Sequence, residues 1–357
     1  MSTDLPLIDL HRAEGARLRD SASGPEPADY GDVAAEHRAV MTGAGLIDRS
    51  TLGKATVTGR DRASFLQGML SNDVKGLAPG QGCPAAFLDA HGKVVSLLSV
   101  YVLEDEILLE LPTGSTEKFL QGIDKFLISE KAYFEPADEG FAIVSAQGPK
   151  AAAVLAQVSG GSLELEPYAH AEVTVAGAPV RVINRADAVT RGFHCWTAPD
   201  HAAALWKALR DAGGVPVGAD AAEVLRVEAG IPLYGQDVDE GVILPETRLE
   251  TLVSYSKGCY IGQETVARVK YRGHINRGLA GLVLEGDDVP SAGAPVMAGD
   301  RDIGRVTSAV RSFSLGKPIA LGYIRREHFE PGSVVSVKVG ERLVGARVAA
   351  LPFAIAS

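Results

Sequence analysis

One short segment of the sequence combines a thiol, an amine and two glycines. Residues 257–264 read Lys-Gly-Cys-Tyr-Ile-Gly-Gln-Glu, so Lys257 lies two positions before Cys259. The glycines at 258 and 262 permit a tight backbone path around the cysteine. A nearby cation and a helix N-terminus favour the reactive thiolate form of a cysteine. Cys259 is therefore a candidate catalytic residue, and the alternative is a buried cysteine that only fills space.

The chain continues from this segment as a basic stretch. Residues 257–277 contain five Lys and Arg residues against one acid, a local charge of +4 in a chain of formal net charge −10. Residues 263–271 are predicted to form a helix, which would bring Arg268 and Arg272 to one side. With Lys270, these cations could hold an anionic ligand or an acidic partner. A plain solvated face is the alternative.

The elements that must position these residues mix helices with paired strands. Residues 20–32, rich in Ser, Gly, Pro and Asp, are predicted as a loop. Residues 84–111 are predicted as a β-meander with a turn at 89–92. This combination favours the α+β class over a βαβ series. From Arg277 onward, six short strands with turns at roughly ten-residue intervals predict a small sandwich or barrel.

The bulk composition limits the classes of function. A chain of 357 residues is expected to form two or three domains. An excess of 45 acidic over 35 basic residues argues against direct binding to nucleic acid or membranes. The three cysteines form no Cys-x-x-Cys pair, and the eight histidines show no metal spacing, so no metal site is predicted. The absence of a signal-like or membrane-spanning apolar run leads us to expect a cytoplasmic protein.

The octapeptide 257–264 resembles the signature of the YgfZ-type folate-binding proteins, bacterial relatives of the glycine-cleavage T-protein (aminomethyltransferase). Further similarity to this superfamily lies in Asp48-Arg49-Ser50 and in Phe65-Leu66-Gln67-Gly68 leading to Ser71-Asn72-Asp73-Val74. The run from Leu225 to Asp237 is close to its central fingerprint. The resemblance extends over roughly residues 30–350.

The resemblance implies a fold of three domains in a ring around a central folate channel, with a C-terminal β-rich domain of barrel or sandwich type. The expected divisions are an α+β domain made of residues 1–52 and 140–250, and a second α+β domain at 53–139. A motif segment at 251–276 and a C-terminal β-barrel-like domain at 277–357 follow.

The resemblance also assigns roles to particular residues. Lys257 and Cys259 are the implied catalytic pair, in which Lys257 activates the thiol or binds a folate glutamyl carboxylate. The implied cofactor is tetrahydrofolate or a derivative of it. The candidate cofactor-binding residues are Arg226, Tyr234, Asp237, Gln263, Glu264, Arg268, Asn72 and Trp196.

Several of these candidates have structural alternatives. Arg226 can bind folate or form a salt bridge across the domain interface, and it does not face Glu228, two positions along the same helix. Asn72 can cap a turn, as can its neighbour Asp73. Trp196 can stack on the pterin ring or pack in a core.

The chain departs from the aminomethyltransferases where those enzymes carry adjacent aspartates beside the folate. Ser96 and Leu97 stand there instead, and neither can act as an acid or a base. A Gly-Tyr-Thr-Gly-Glu segment is also missing around residues 188–193. The resemblance therefore implies an accessory factor that supports iron–sulfur enzymes, including those that modify tRNA, with those enzymes or their assembly proteins as partners. Whether the protein is an enzyme stays open.

Two alternatives remain. The first is a folate-dependent aminomethyltransferase or demethylase, with Asp89 as the nearest carboxylate. The second is a non-catalytic, folate-responsive interaction protein.

Overall fold

The structure is a computed structural model that describes residues 5–21 and 24–353. The chain forms two compact units. The first unit runs to Phe87 and includes Ser96–Ala222 and Thr251–Ile261, and the second comprises Leu88–Val95, Glu223–Glu250 and the chain from Gly262 onward. Within the described ranges, no helix is long and apolar enough to cross a membrane.

Among the described residues, six α-helices belong to the first unit, and a seventh passes from it into the second unit at Glu223. Their bounds are α1 (Ile8–Ala13), α2 (Val33–Thr42), α3 (Arg62–Met69), α4 (Thr116–Asp124), α5 (Ala151–Ser159), α6 (Ala202–Asp211) and α7 (Ala219–Glu228).

In residues 5–21 and 24–216, the strands form three sheets. Their bounds are β1 (Arg17–Ser21), β2 (Gly24–Asp29), β3 (Gly45–Asp48), β4 (Gly53–Thr58), β5 (Gly82–Leu88), β6 (Val94–Val102), β7 (Ile107–Leu111), β8 (Tyr133–Pro136), β9 (Ala142–Gln147), β10 (His170–Val175), β11 (Ala178–Asn184), β12 (Gly192–Thr197) and β13 (Val215–Pro216). The sheet orders are β1-β2, β10-β11-β12-β9-β3-β13 and β5-β6-β7-β4-β8. The predicted meander is confirmed, since β5, β6 and β7 are neighbours in one sheet.

The prediction of a loop over residues 20–32 is wrong. Strand β2 pairs antiparallel with β1, and ion pairs from Arg17 to Asp29 and from Arg19 to Glu26 cross between the two strands. Prolines are tolerated in β2 because a two-stranded sheet has only edge strands, where a missing N–H need not break a ladder. Composition alone therefore misrepresented a pair of edge strands as a loop.

The largest core of the first unit lies on the six-stranded sheet. It is built from side chains of β3, β9 and β12 together with α5 and α6, and Trp206 is fully buried within it. A second cluster packs Tyr101 of β6 against Trp196 of β12. Burial of such large apolar surfaces, at roughly 25 cal/mol per Å², is the main force that holds these sheets in place.

The second unit contains the helix α8 (Gln263–Arg272) and a closed six-stranded barrel. The barrel strands are β14 (Arg277–Leu284), β15 (Pro295–Ala298), β16 (Arg301–Arg311), β17 (Pro318–Arg325), β18 (Val334–Val339) and β19 (Arg342–Ala349), in the order β14-β17-β16-β15-β18-β19. Alternate side chains such as Leu282, Val306 and Val337 fill its interior. The mixed helix and strand fold with a C-terminal β-barrel is thus confirmed.

Candidate functional site

Lys257 closes the end of a helix in the first unit. Its Nζ donates to the backbone carbonyls of Gln67 and Leu70 at 2.6 Å each and to that of Asn72 at 2.8 Å. These carbonyls lie at the C-terminus of α3, where backbone acceptors lack partners within the helix. A lysine there satisfies them and complements the helix dipole.

This geometry gives Lys257 a structural task. An ammonium group has three donors, and all three point at backbone oxygens. None is left to bind a folate carboxylate or to activate the thiol of Cys259. Burial lowers the pKa of Lys257 to about 8, and the charges of Asp73 and Cys83 only partly oppose that effect.

Cys259 is exposed, whereas Cys83 and Cys195 are buried. Burial raises the pKa of each buried thiol to about 12, with Lys257 partly opposing the shift at Cys83. Within residues 5–21 and 24–353, the sulfur of Cys259 has no hydrogen-bond partner. Its accessibility is compatible with reactivity, and no acid or base of the described residues makes a hydrogen bond to it.

Asn72 and Trp196 both make contacts that stabilise the fold. The Asn72 amide donates to the carbonyls of Pro84 at 2.8 Å and Thr251 at 3.0 Å, so it ties strand β5 to the segment around Thr251. The side chain of Trp196 is only 2% exposed and packs against Tyr101 and Phe141. Of the alternatives drawn from the sequence, these contacts favour a turn-holding Asn72 and a core Trp196.

Arg226 and Asp237 meet in the second unit. The Arg226 Nη1 donates to an Asp237 oxygen at 2.8 Å and to the Ile231 carbonyl at 2.6 Å, while its Nε donates to Glu223 at 2.8 Å. Asp237 also accepts from the backbone N–H of Leu233 at 2.8 Å. The pair therefore fixes the turn that follows α7, within the second unit.

Two barrel hydroxyls complete this network, and the sequence analysis missed both. Ser308 donates to Asp237 at 2.7 Å and accepts from Arg226 at 2.8 Å, and Thr307 also donates to Asp237. A signal was present, because two adjacent hydroxyl residues directly follow the buried Val306 in this strand. The partner 70 positions away could not be identified from that pattern.

Tyr234 contacts the start of β6, and Asp89 supports the turn between β5 and β6. The Tyr234 hydroxyl donates to the Val95 carbonyl. The Asp89 carboxylate accepts the N–H groups of His91 at 2.8 Å and Lys93 at 2.9 Å, which is the usual side-chain support of a tight turn. Asp89 is thereby engaged by the backbone of its own turn.

Helix α8 carries the candidate residues that are free to bind a ligand. It begins at Gln263, as predicted, after Gly262 with φ +80°. A Cβ at Gly262 would lie 2.5 Å from the Asp89 carbonyl oxygen, so only glycine fits this close approach. In the part of the chain that the structure describes, the side chains of Gln263, Glu264 and Arg268 make no hydrogen bond or ion pair.

Strand β6 holds no carboxylate at the position expected for a folate-linked acid. Ser96 is buried and its hydroxyl donates to the Leu97 carbonyl at 3.1 Å. This hydroxyl is committed to the backbone, and the Leu97 side chain has no titratable group. Acid–base chemistry at this strand would need a group from elsewhere.

Comparison with protein families assigns both parts of the chain. The model of the GCVT N-terminal domain matches residues 7–257, and that of the glycine cleavage T-protein C-terminal barrel domain matches residues 277–354. The crystal structure of aminomethyltransferase T of the glycine cleavage system from Bartonella henselae is similar, with a TM-score of 0.90 and 26% identity. The match covers 98% of this chain and 97% of the Bartonella henselae chain.

Three curated relatives share the name aminomethyltransferase. An aminomethyltransferase from Streptomyces avermitilis is 33% identical over 99% of both chains, and one from Bacillus subtilis is 31% identical over 98% of both. Another from Rubrobacter xylanophilus is 34% identical, with 98% of this chain and 93% of that protein covered.

These relatives correct the prediction of function. They are named aminomethyltransferase and not YgfZ-type proteins, so the predicted accessory role toward iron–sulfur and tRNA-modifying enzymes is wrong. The octapeptide 257–264 misled because an exposed cysteine and a lysine that closes a helix are equally compatible with a purely structural loop. The wider resemblance to the T-protein superfamily is confirmed. The chain belongs to the glycine cleavage T-protein family.

Proposed function

We propose that this protein is a folate-dependent aminomethyltransferase or demethylase. With an aminomethyl donor, it would transfer the methylene carbon to tetrahydrofolate and release ammonia. With an N-methyl donor, it would transfer the methyl group and release the demethylated amine. The similarity to aminomethyltransferases along 99% of the chain is the observation that carries this proposal.

Tetrahydrofolate is the cofactor that aminomethyltransferases of this family use. In this chain, the side chains on the first turns of α8 are the best candidates to contact it. Arg268 is exposed and can pair with a glutamyl carboxylate. Gln263 and Glu264 offer an amide and a carboxylate for the polar edge of a pterin ring. By contrast, Arg226, Asp237 and Tyr234 would act by holding the turns around that ligand.

The residues of strand β6 are the reason why turnover, and not folate binding alone, must be measured. Ser96 and Leu97 provide no carboxylate, so binding of tetrahydrofolate alone would not establish transfer. Proton transfer in this chain must then come from the donor amine, from solvent or from a side chain outside β6.

The partner that follows from this proposal is a carrier protein. Aminomethyltransferases work with the glycine cleavage H protein, which would present the aminomethyl group to this chain. Neither nucleic acid nor a membrane is a proposed partner, and a cytoplasmic location stays a prediction.

The test is an assay of the purified protein with tetrahydrofolate and aminomethyl-loaded H protein. We expect formation of 5,10-methylenetetrahydrofolate and stoichiometric ammonia, measured by mass spectrometry and an ammonia-coupled assay. A parallel reaction with N-methylated amino acids would give 5-methyltetrahydrofolate if the donor is a methylamine. Absence of both products, with the relative from Bacillus subtilis active in the same assay, would overturn the proposal.

Arg268 allows a matched control for the folate contact. We expect Arg268→Gln to weaken the binding of tetrahydrofolate triglutamate about tenfold, the usual value of one charge-assisted contact. Arg342→Gln, which removes another exposed arginine paired with Asp288, should leave that affinity unchanged. Equal effects of the two substitutions would show that only net charge is involved.

A further inference from the structure

Strand β10 lies at the edge of the six-stranded sheet, and its outer side is open. Among the described residues, its one strand neighbour is β11. Ala176 and Gly177 join the two strands, and both have positive φ, as in the usual two-residue hairpin loop. The pairing runs from His170 to Val175 without a bulge. The backbone of β10 therefore presents a regular edge.

Two contacts show which backbone groups lie on the outer side. The His170 N–H donates to the Gly80 carbonyl at 2.8 Å, so it points away from β11. Thr174 lies opposite Pro179, which has no N–H to share with it. Because backbone groups alternate in direction along a strand, the N–H and carbonyl groups of Glu172 and Thr174 also point outward. Both residues are exposed, and within residues 5–21 and 24–353 these backbone groups have no partner.

This edge lacks the features that usually protect an edge strand, which are a proline, a lysine or a β-bulge. By contrast, the edge strand β8 of the five-stranded sheet ends at Pro136, and Lys131 lies two residues before it. Strand β10 contains no proline, lysine or bulge, and its acidic residue, Glu172, is paired with Arg181. An edge of this kind can accept a further strand from another chain.

A cavity of about 540 Å³ adjoins the His170 end of this edge. Its lining includes His170, Ala171 and Glu172 of β10, residues 79–80, and residues 103–106 between β6 and β7. A volume of this size lies in the range of sites that enclose a ligand or a long side chain. A strand that pairs with Glu172 brings its own next residues to this cavity.

The lining of the cavity contains more acidic than basic side chains. The consecutive acids at 104–106 carry carboxylates that make no hydrogen bond or ion pair with any described residue. Arg181 donates to the fourth acid, Glu172, at 2.9 Å, and Arg62 donates to the Glu104 carbonyl at 2.7 Å. When both arginines are counted with the four carboxylates, a net charge of −2 remains.

His170 adds no positive charge to this lining. Its Nε2 donates to the Val102 carbonyl at 3.1 Å, and its Nδ1 accepts from Arg181 at 3.3 Å. A carbonyl can only accept and a guanidinium can only donate, so the ring is neutral. Burial and the Arg181 charge lower the pKa of His170 to about 4, in agreement with this assignment. The lining therefore stays negative at neutral pH.

Charge decides between the possible occupants of this edge. A second copy of this chain would bring an equally acidic cavity and the same Glu172 to the edge, and like charges on paired strands repel. A segment with lysine or arginine side chains instead gains charge-assisted hydrogen bonds to the carboxylates. The net charge of −10 of the whole chain also attracts a basic partner.

We propose that β10 accepts an extended, basic segment of a partner protein as an added strand. The backbone of that segment pairs with the outward N–H and carbonyl groups of Glu172 and Thr174, and one of its lysine or arginine side chains enters the cavity beside residues 104–106. The backbone pairing supplies affinity, and the charged side chain supplies selectivity. This assignment does not depend on the proposed transferase activity.

The probe is a fluorescein-labelled peptide, Lys-Val-Thr-Val-Thr-Val-Lys, titrated with the full-length protein at constant ionic strength. Its two terminal lysines place a cation at the cavity in either strand direction. We expect saturable binding by fluorescence anisotropy, and about tenfold weaker binding of the peptide with glutamate in place of both lysines. Equal affinity for the two peptides, or no saturable binding of the lysine peptide, would overturn the proposal.

A proline at position 174 tests the backbone pairing. Thr174→Pro removes an outward N–H and places a ring on the open edge, so the lysine peptide should bind about tenfold or more weakly. The fold should persist, because this N–H makes no bond to β11. Thr174→Val, which keeps the N–H, is the matched control and should bind as the wild type does. Wild-type affinity in Thr174→Pro, with normal circular dichroism, would show that no strand is added.

Neutral side chains at 104–106 test the charge of the cavity. The combined substitutions Glu104→Gln, Asp105→Asn and Glu106→Gln should weaken the lysine peptide about tenfold and remove the preference over the glutamate peptide. The matched control changes net charge equally at three exposed acids of the same unit, Asp124→Asn, Glu135→Gln and Glu139→Gln. Equal losses in the two triple variants would show that only net charge acts.

Hydrogen exchange in the wild type locates the peptide without any substitution. The N–H groups of Glu172 and Thr174 should exchange rapidly in the free protein and about tenfold or more slowly when the lysine peptide is bound, because each then donates to the added strand. Electron-transfer fragmentation resolves these two positions in the mass spectrum. Binding of the peptide with unchanged exchange at both positions would overturn the proposal.

Discussion

The Arg226 guanidinium donates to the Asp237 carboxylate at 2.8 Å, and the Asp237 side chain is completely buried. Asp237 also accepts from the Leu233 backbone N–H and from the Ser308 hydroxyl. One carboxylate thus links the end of α7, the turn after it and strand β16. The barrel and the preceding helix are held together within the second unit by a polar contact rather than by apolar packing alone.

This relationship predicts a large loss of stability in Asp237→Asn. An amide in place of the carboxylate leaves the buried Arg226 with only the exposed Glu223 as its counter-charge, and breaking a buried pair in this way costs about 3–5 kcal/mol. The free energy of unfolding, measured by urea denaturation at pH 7, should fall by that amount. Glu223→Gln is the control, because Glu223 pairs with the same arginine but is 37% exposed, and it should cost less than about 1 kcal/mol. Equal losses in the two variants would contradict a special role for Asp237.

Lys257 should make stability rise with pH in the alkaline range. Its pKa in the folded protein is lowered to about 8, whereas an unfolded lysine titrates near 10.4. Between these values the unfolded chain binds more protons, so the free energy of unfolding increases as the pH rises. Urea denaturation of the wild type and Lys257→Met from pH 7 to 10.5 should show this increase only in the wild type. Lys270→Met, which changes an exposed lysine, should keep the wild-type slope.

His194 should have the opposite effect. Its pKa is raised to about 9, so its contribution to stability is fully present below about pH 6.5 and is lost as the pH rises through 9. His194→Gln removes the cation between the carboxylates of Glu110 and Asp187, which then keep only Arg185 and Arg49 as counter-charges. This loss should cost about 3–5 kcal/mol at pH 6. The difference from the wild type should shrink between pH 6.5 and 9. His274→Gln, at an exposed position, should leave the profile unchanged, and a constant difference would mean that His194 is neutral in the fold.

The effects of Lys257 and His194 overlap between about pH 8 and 9 and have opposite signs. The wild-type profile alone could therefore be flat in this range. Each contribution becomes visible as the difference in unfolding free energy between the wild type and one variant. In the double variant the two changes should add, because Lys257 and His194 share no contact partner.

Local sequence patterns predicted the helices and strands better than they predicted the contacts between side chains. The helix after Gly262 and the six barrel strands follow from periodicity and turn residues, which act over a few positions. The task of Lys257 depends on carbonyls 185 to 190 positions earlier in the chain, which no local pattern encodes. The same holds for Asp237 and Ser308. The octapeptide could therefore be located from the sequence. The contacts of its side chains depend on tertiary packing and could not be predicted.

Cys259 provides a direct check on what remains of the catalytic-thiol hypothesis. Cys259 is exposed, whereas burial raises the pKa of Cys83 and Cys195 to about 12. A disulfide exchange reagent at pH 8 should therefore react rapidly with one thiol in the native protein and with three in urea. In Cys259→Ala the rapid reaction should disappear.

The same variant tests whether that thiol takes part in turnover. One-carbon transfer to tetrahydrofolate requires no thiol, and no acid or base among the described residues assists Cys259. We therefore expect Cys259→Ala to keep the turnover within about a factor of two of the wild type, as for an ordinary surface substitution. Cys259→Ser, which keeps a polar side chain of similar size, should behave in the same way. A loss of turnover in both variants, with unchanged folate affinity and unfolding free energy, would assign the thiol a catalytic role and require a donor chemistry that passes through sulfur.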